Sequence, residues 1–306
     1  MASNKTLHNP WNCTLLIFDI PRLLIYVSMI QLHLSSANCT TQLSSSNKQT
    51  FYLVHGVGHG AWCWFKLVPL LEAAGHKVTT IDLSASGINT KHLQDLRSFN
   101  DYSAPLLDLM DSLPLDEKVV LVGHSFGGMS ISLAMDMYPN KISVAIFVSA
   151  FLPDTTHVPS YVLATFLLQL NTTETLIDTQ LYLVDRPNQT PLEAILFGPD
   201  ALKYSIYHLS PPEDLELAKL LVRESSLFVD DLSIANKLSE EGFGSVKKVY
   251  IKNEQDKTIS GDFQRWMIEN EGLEEVKDIN NADHMSMISR PQALCKLLLE
   301  VAQELS

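Results

Sequence analysis

The sequence predicts an α/β fold: a doubly wound, mostly parallel six-stranded sheet with an inserted, mainly helical cap. Three observations predict it. From residue 51 onward, short apolar runs alternate with stretches of helical periodicity, the pattern of parallel strands covered by helices on both faces. One such run, Val119, Val120, Leu121 and Val122, passes through Gly123-His124-Ser125-Phe126-Gly127 into a helical stretch, a strand-to-helix switch centred on a serine. Between residues 152 and 223 the alternation stops, apolar helical pieces are separated by prolines at 187, 191, 199, 211 and 212, and the strand pattern then returns.

Taken in order, residues 51–54 read as the first strand and end in His55-Gly56-Val57-Gly58-His59-Gly60. Residues 64–74 read as a helix stopped by Gly75, and 78–83 as a second strand. Residues 101–113 carry Leu106, Leu109, Met110 and Leu113 on one helical face, ahead of Pro114 and the strand at 119–122. After the serine, Met129, Leu133, Ala134 and Met137 recur at spacings of three and four, with Pro139 just beyond. Strands follow at 143–149, 246–251 and 274–279, and helices at 262–271 and from about 291 to 304. Inside the excursion, 161–170 and 215–222 read as helices. The division is thus an extension (1–50), a core (51–151 and 224–306) and a cap (152–223) over the strand ends, where it would enclose an apolar pocket.

Composition bounds the function. The chain has 306 residues, 46% of them hydrophobic, enough for a sizeable core. Its formal net charge of -13, with no dense basic run, argues against nucleic acid and anionic membrane surfaces as partners. Cys13, Cys39, Cys63 and Cys295 lack the close pairing of a zinc site and are too few for a disulfide framework. In the extension, Asp19, Pro21 and Arg22 interrupt the apolar run at 15–34, so a spanning helix does not fit. A shorter run at 23–34 before Ser35-Ser36-Ala37 fits a secretory signal, a targeting extension fits as well, and Met29 offers an alternative start. Residues 40–50 are a polar linker, and Asn38, Asn171 and Asn188 open Asn-x-Thr triplets.

A serine between glycines at a strand-to-helix turn is a nucleophile elbow, so Ser125 is the candidate nucleophile. Its base must be a histidine that the fold can bring to it. His284 directly follows the last strand, and Asp256 directly follows the strand before that. Functional groups of an open parallel sheet gather beyond the carboxyl ends of its strands, which makes His284 the base and Asp256 the group that orients it. Asp283 competes as the acid but is the immediate neighbour of His284. His55 and His59 are four apart in a glycine-bearing loop with no glutamate between them, which excludes a metalloprotease helix. That loop instead offers an oxyanion hole, assigned to the amides of Val57 and Phe126. Trp62, Trp64 and Phe65 read as core anchors.

The runs HGVGHGAWCWFKLVPLLEAAGHKVTTIDLSASG, GHSFGGMS, SPPEDLELAKLLVR and ADHMSMISRPQ resemble the plant methylesterase and hydroxynitrile lyase branch of the α/β-hydrolases, from about residue 51 to the C-terminus. The resemblance implies the α/β-hydrolase fold, Ser125, Asp256 and His284 as catalytic triad, Val57 and Phe126 as oxyanion hole, and no cofactor or metal. It implies hydrolysis of a small apolar methyl ester, of a plant hormone or an indole alkaloid intermediate, by an acyl-enzyme mechanism. Several members of the branch are homodimers and most are cytoplasmic, and the resemblance carries both to this chain as expectations. Its 50-residue extension departs from the usual short start and could be a signal or targeting segment. Lyases of this branch carry Thr or Asn where this chain has Gly56. One lyase group has Lys at the place of Met285, and the other lacks the histidine that is His124 here. All three differences favour an esterase over a cyanohydrin-cleaving lyase, and an intact triad favours catalysis over a non-catalytic binding protein or receptor.

Overall fold

A computed structural model describes residues 48–170 and 176–305 of the chain. The expectations for the extension before residue 48, and for Asn38 and Asn171, lie outside the described residues. Six strands form one sheet in the order β2-β1-β3-β4-β7-β8: β1 (Thr50–Val54), β2 (Lys77–Ile81), β3 (Val119–His124), β4 (Ile142–Val148), β7 (Lys248–Asn253) and β8 (Val276–Ile279). Every pairing is parallel, so "mostly parallel" becomes wholly parallel in this sheet. Each strand has apolar side chains on both faces because helices cover both. Tyr52, Val54, Leu121, Phe147 and Tyr250 belong to one core, while Phe51, Leu53, Val122, Ile146 and Ile251 belong to the other.

The first strand of the sheet, β1, lies one place in from the edge; from it the chain runs outward to β2 and returns to β3 on the other side of β1. This reversal creates a crevice at the carboxyl ends of β1 and β3, which pair with Val54 opposite Gly123. The glycine-bearing loop after β1 and the serine after β3 therefore meet at one point.

Several boundaries differ from the sequence expectation. The helix expected over 64–74 is two pieces, a 3-10 turn at Ala61–Trp64 and an α-helix at Val68–Ala73. Pro69 sits in the first turn of the second piece, where a proline costs no hydrogen bond and starts a helix anew. Phe65, between them, is 43% exposed and is no core anchor, whereas Trp64 is fully buried. The strand expected at 246–251 is β7, two residues later. Between β4 and β7 the chain forms helices Ser160–Gln169, Pro212–Leu221 and Val229–Ile234 together with an antiparallel hairpin, β5 (Gln180–Val184) with β6 (Leu192–Leu196). The hairpin was not legible as strands. Residues 180–183 of β5 are exposed, so no apolar alternation marks it, and the prolines at 187 and 191 belong to its loop.

Candidate active site

Ser125 stands between the end of β3 and helix Gly127–Met137 with φ of 53°, a left-handed conformation that a residue with a side chain adopts only when its surroundings impose it. The glycines around it serve close approach instead. A Cβ on Gly127 would lie 2.6 Å from the carbonyl oxygen of His55, one on Gly128 2.1 Å from that of Phe151, and one on Gly123 2.8 Å from Ile131. The strained turn is held by three backbone bonds: Ser125 N to Val148 O (3.4 Å), and Gly128 N and Phe151 N to Ser125 O (3.0 Å each).

Asp256 and His284 form a buried pair. His284 Nδ1 lies 2.7 Å from Asp256 Oδ2, and both residues are at most 6% exposed. Asp256 Oδ2 also accepts from Ser149 Oγ, and Oδ1 accepts from the amides of Thr258 (2.7 Å) and Ile259 (2.9 Å). The backbone of His284 is fixed as well, because its carbonyl accepts from His124 Nε2 (2.9 Å) and Asn253 Nδ2 (3.0 Å). With Nδ1 committed to the carboxylate, the imidazole has Nε2 left for a second partner, and His284 and Ser125 line the same cavity. Asp283 is elsewhere engaged: its carboxylate accepts from the amides of Met285 and Leu209 (3.0 Å each) and from Ser210 Oγ (2.8 Å). It ties the histidine loop to the excursion between β4 and β7.

Across the crevice, a Cβ on Gly56 would stand 2.7 Å from Ser125 Cβ and 3.1 Å from Ser125 Oγ, so only glycine lets the first loop approach the serine this closely. Among the described residues, neither the Val57 nor the Phe126 amide donates to a protein acceptor. Phe126 is the N-cap of helix Gly127–Met137, whose dipole favours negative charge at that end. Two amides without a protein acceptor among the described residues thus belong to the loop that approaches the serine and to the residue directly after it.

The cavity lined by Gly56, Val57, Ser125 and His284 has a volume of about 50 Å³ and is largely apolar, with Phe151, Phe166, Ile195, Phe197 and Leu227 among its walls. It shares Phe166, Leu170, Leu176, Ile195 and Leu227 with an outer cavity of about 600 Å³, whose rim carries Arg97, Arg186, Glu193 and Asp230. Several of these walls come from β6 and helix Ser160–Gln169, so the excursion from the sheet encloses the serine.

Four buried histidines crowd the site, and three of them are kept neutral by burial. The ring of His59 stacks on Trp62 and Tyr207 (centroids 5.3 and 5.8 Å), gives its Nδ1 proton to Val57 O (2.9 Å) and accepts from Tyr207 Oη at Nε2 (2.8 Å). Desolvation depresses its pKa to about 4; the same cause lowers His55 and takes His124 well down. The unfolded chain therefore binds protons before the native one, and the contribution to stability is whole above about pH 6.5 and is lost as pH falls toward 4. For His59 alone this amounts to about 3 kcal/mol at pH 4. Chemical unfolding from pH 7 to 4 should show this loss, and His59→Phe should flatten the slope by close to one proton; an unchanged slope would assign the loss to other groups.

The structure thus brings Ser125, Asp256, His284 and the amides of Val57 and Phe126 together at one end of the sheet. Sequence reasoning missed Ser149, Tyr207 and the tie from Asp283 to Ser210, for which no local motif exists. Among the described residues no cluster of His, Cys, Asp and Glu could hold a metal ion, and no helix is long and apolar enough to cross a membrane.

A family model described as the alpha/beta hydrolase fold matches residues 49–291. Salicylic acid-binding protein 2 of Nicotiana tabacum is 51% identical over 254 residues, which make up 83% of this chain and 97% of that protein. Methylesterase 3 of Arabidopsis thaliana is 50% identical over 84% of this chain and 97% of its own length. The crystal structure of polyneuridine aldehyde esterase matches with a TM-score of 0.81 at 47% identity, covering 84% of this chain and 100% of that one.

Proposed function

This chain belongs to the alpha/beta hydrolase family, and on that premise we propose that it is a serine ester hydrolase acting on methyl esters of small apolar plant carboxylic acids, of the hormone or indole alkaloid kind. Ser125 Oγ attacks the ester carbonyl carbon while His284 Nε2 takes its proton. Asp256 holds the imidazole in the tautomer with Nε2 free and stabilises the imidazolium. The amides of Val57 and Phe126 bind the developing oxyanion. Methanol leaves with the proton returned by His284, and water, activated by the same base, then frees the acid from Ser125.

One observation carries this reading: a serine at positive φ, a histidine whose ring is held by a buried carboxylate, and Val57, whose amide has no protein acceptor among the described residues, line one largely apolar cavity. The inner cavity suits the reacting ester group, and the larger outer cavity takes an acyl body too big for it. A salicylic acid-binding protein, a methylesterase and a polyneuridine aldehyde esterase are each about half identical to this chain, which supports the reading.

The test is a panel of methyl salicylate, methyl jasmonate and methyl indole-3-acetate beside p-nitrophenyl acetate and mandelonitrile. Turnover of the p-nitrophenyl ester and of at least one methyl ester is expected, with little or no cyanide from mandelonitrile. Gly56 has no side chain to engage a cyanohydrin hydroxyl, and Met285 is fully buried and offers no ammonium to departing cyanide. Rapid cyanide release without ester turnover would overturn the proposal.

A further inference from the structure

The mechanism above leaves His55 unused, yet this residue is wholly buried at the mouth of the first loop. Its ring has two partners that settle its tautomer. Nε2 lies 3.1 Å from the Leu83 amide, which can only donate, so Nε2 accepts. Nδ1 lies 2.8 Å from the Gly56 carbonyl oxygen, which can only accept, so Nδ1 carries the proton. An imidazolium would set an N–H of Nε2 against the N–H of Leu83, and desolvation likewise holds His55 below its ordinary pKa.

The Gly56 carbonyl and the Val57 amide are the two ends of one peptide unit, planar and trans, so a bond that fixes the direction of the oxygen fixes that of the N–H. This plane has little else to hold it. Gly56 must lack a side chain because Ser125 stands too close, and a glycine leaves the following peptide free to rotate. The other donor to Gly56 O is the His59 amide, at the longer distance of 3.3 Å. A short bond into the carbonyl also polarises the peptide and strengthens its N–H as a donor. His55 is anchored from its other side as well, since its own carbonyl packs where a Cβ of Gly127 would be, at the start of the helix that supplies the Phe126 amide.

We propose that His55 is a positioning residue of the oxyanion hole: its Nδ1–H holds the Gly56 to Val57 peptide so that the Val57 N–H points at the oxygen that becomes negative when Ser125 attacks. This rests on the proposed reading of Ser125 as nucleophile and Val57 as donor, and it assigns His55 a part in specifying the transition state instead of the substrate. Losing a whole oxyanion donor costs about 10² to 10³ in rate, so a donor that is present but misdirected should cost about 10- to 100-fold.

The experiment uses three variants of the full chain, His55→Phe, His55→Asn and His55→Gln, with Ser125→Ala as reference. It measures steady-state hydrolysis of p-nitrophenyl acetate and inhibition by a trifluoromethyl ketone, which forms a tetrahedral adduct. The amide of Asn stands where Nδ1 stands and can donate to Gly56 O, while that of Gln reaches the place of Nε2 and can accept from Leu83 N. For His55→Phe the expected result is a fall in kcat of about 10- to 100-fold, KM within about twofold, and a matching loss of affinity for the ketone. His55→Asn should recover most of both and His55→Gln little. Should His55→Phe fail to fold, the Asn and Gln pair decides the matter, because each keeps one of the two ring bonds. Wild-type kcat in His55→Phe, an Asn variant no better than Phe, or a Gln variant as good as Asn would overturn the inference. If Ser125→Ala is inactive in those cases, the esterase reading stands without it. Full activity in Ser125→Ala would overturn both.

Discussion

Replacing Ser125 by alanine is expected to lower ester turnover by at least about 10⁴-fold while the protein stays folded. Removing the nucleophile of a serine hydrolase leaves only what the oxyanion hole and substrate binding supply, and losses from about 10⁴ to 10⁶ are usual for members of such a triad. The fold should barely notice. The strained φ of 53° is carried equally by serine and alanine, and the turn is held by backbone bonds at Ser125 N and Ser125 O that the substitution leaves in place. A stability change within about 1 kcal/mol is expected. Turnover of p-nitrophenyl acetate beside a thermal melt checks both halves. A folded Ser125→Ala protein that hydrolyses the ester at the wild-type rate would sink the mechanism.

Asp256→Asn should cost nearly as much, about 10⁴-fold in kcat, through the tautomer of His284. The carboxylate accepts from four donors at once, His284 Nδ1 and Ser149 Oγ on one oxygen and the amides of Thr258 and Ile259 on the other. An asparagine side chain replaces one of those oxygens with a donor. The two backbone amides cannot reverse roles, so the oxygen of the asparagine must face them and its NH₂ must face His284. Nδ1 then becomes the acceptor, the ring proton moves to Nε2, and the imidazole can no longer take the proton of Ser125. Burial makes an adjustment by water costly, since Asp256 is 6% exposed and His284 3%. The discriminating measurement is kcat of the folded variant: retention of more than about a tenth of the wild-type value would mean that Asp256 does not orient the base.

Much of this site is legible in the sequence because its chemistry sits directly after strands. Ser125 follows β3, Asp256 follows β7 and His284 follows β8 with only a short turn between. Short apolar runs, and the helices between them, depend on neighbours a few residues apart, so local pattern is enough to place these positions at one end of a parallel sheet. The amides of Val57 and Phe126 are legible for the same reason, as the loops after β1 and β3. What local pattern cannot carry is exposed or irregular: the hairpin of β5 and β6, whose first strand is largely exposed, and the outward turn of Phe65.

The sequence by itself determined the sheet class, the chain order of serine, acid and base, and the glycines that a tight approach demands, since each is a matter of residue type and short spacing. Strand position already favours Asp256 as the acid, and the tertiary structure gives the physical reason that its competitor is excluded. Asp283 adjoins His284 in the chain but spends its carboxylate on Met285, Leu209 and Ser210, while Asp256, 28 residues away, reaches Nδ1. Only the tertiary structure decided that Ser149 donates to that acid, that Tyr207 pairs with His59, and that the ring of His55 bonds the Gly56 carbonyl. Most of these pairings join residues far apart in the chain, and even His55, beside its partner, is fixed by the distant Leu83 amide; a hydrogen bond in a dry interior forms only where packing has set two groups within about 3 Å and at the right angle, a condition that no run of residues encodes locally.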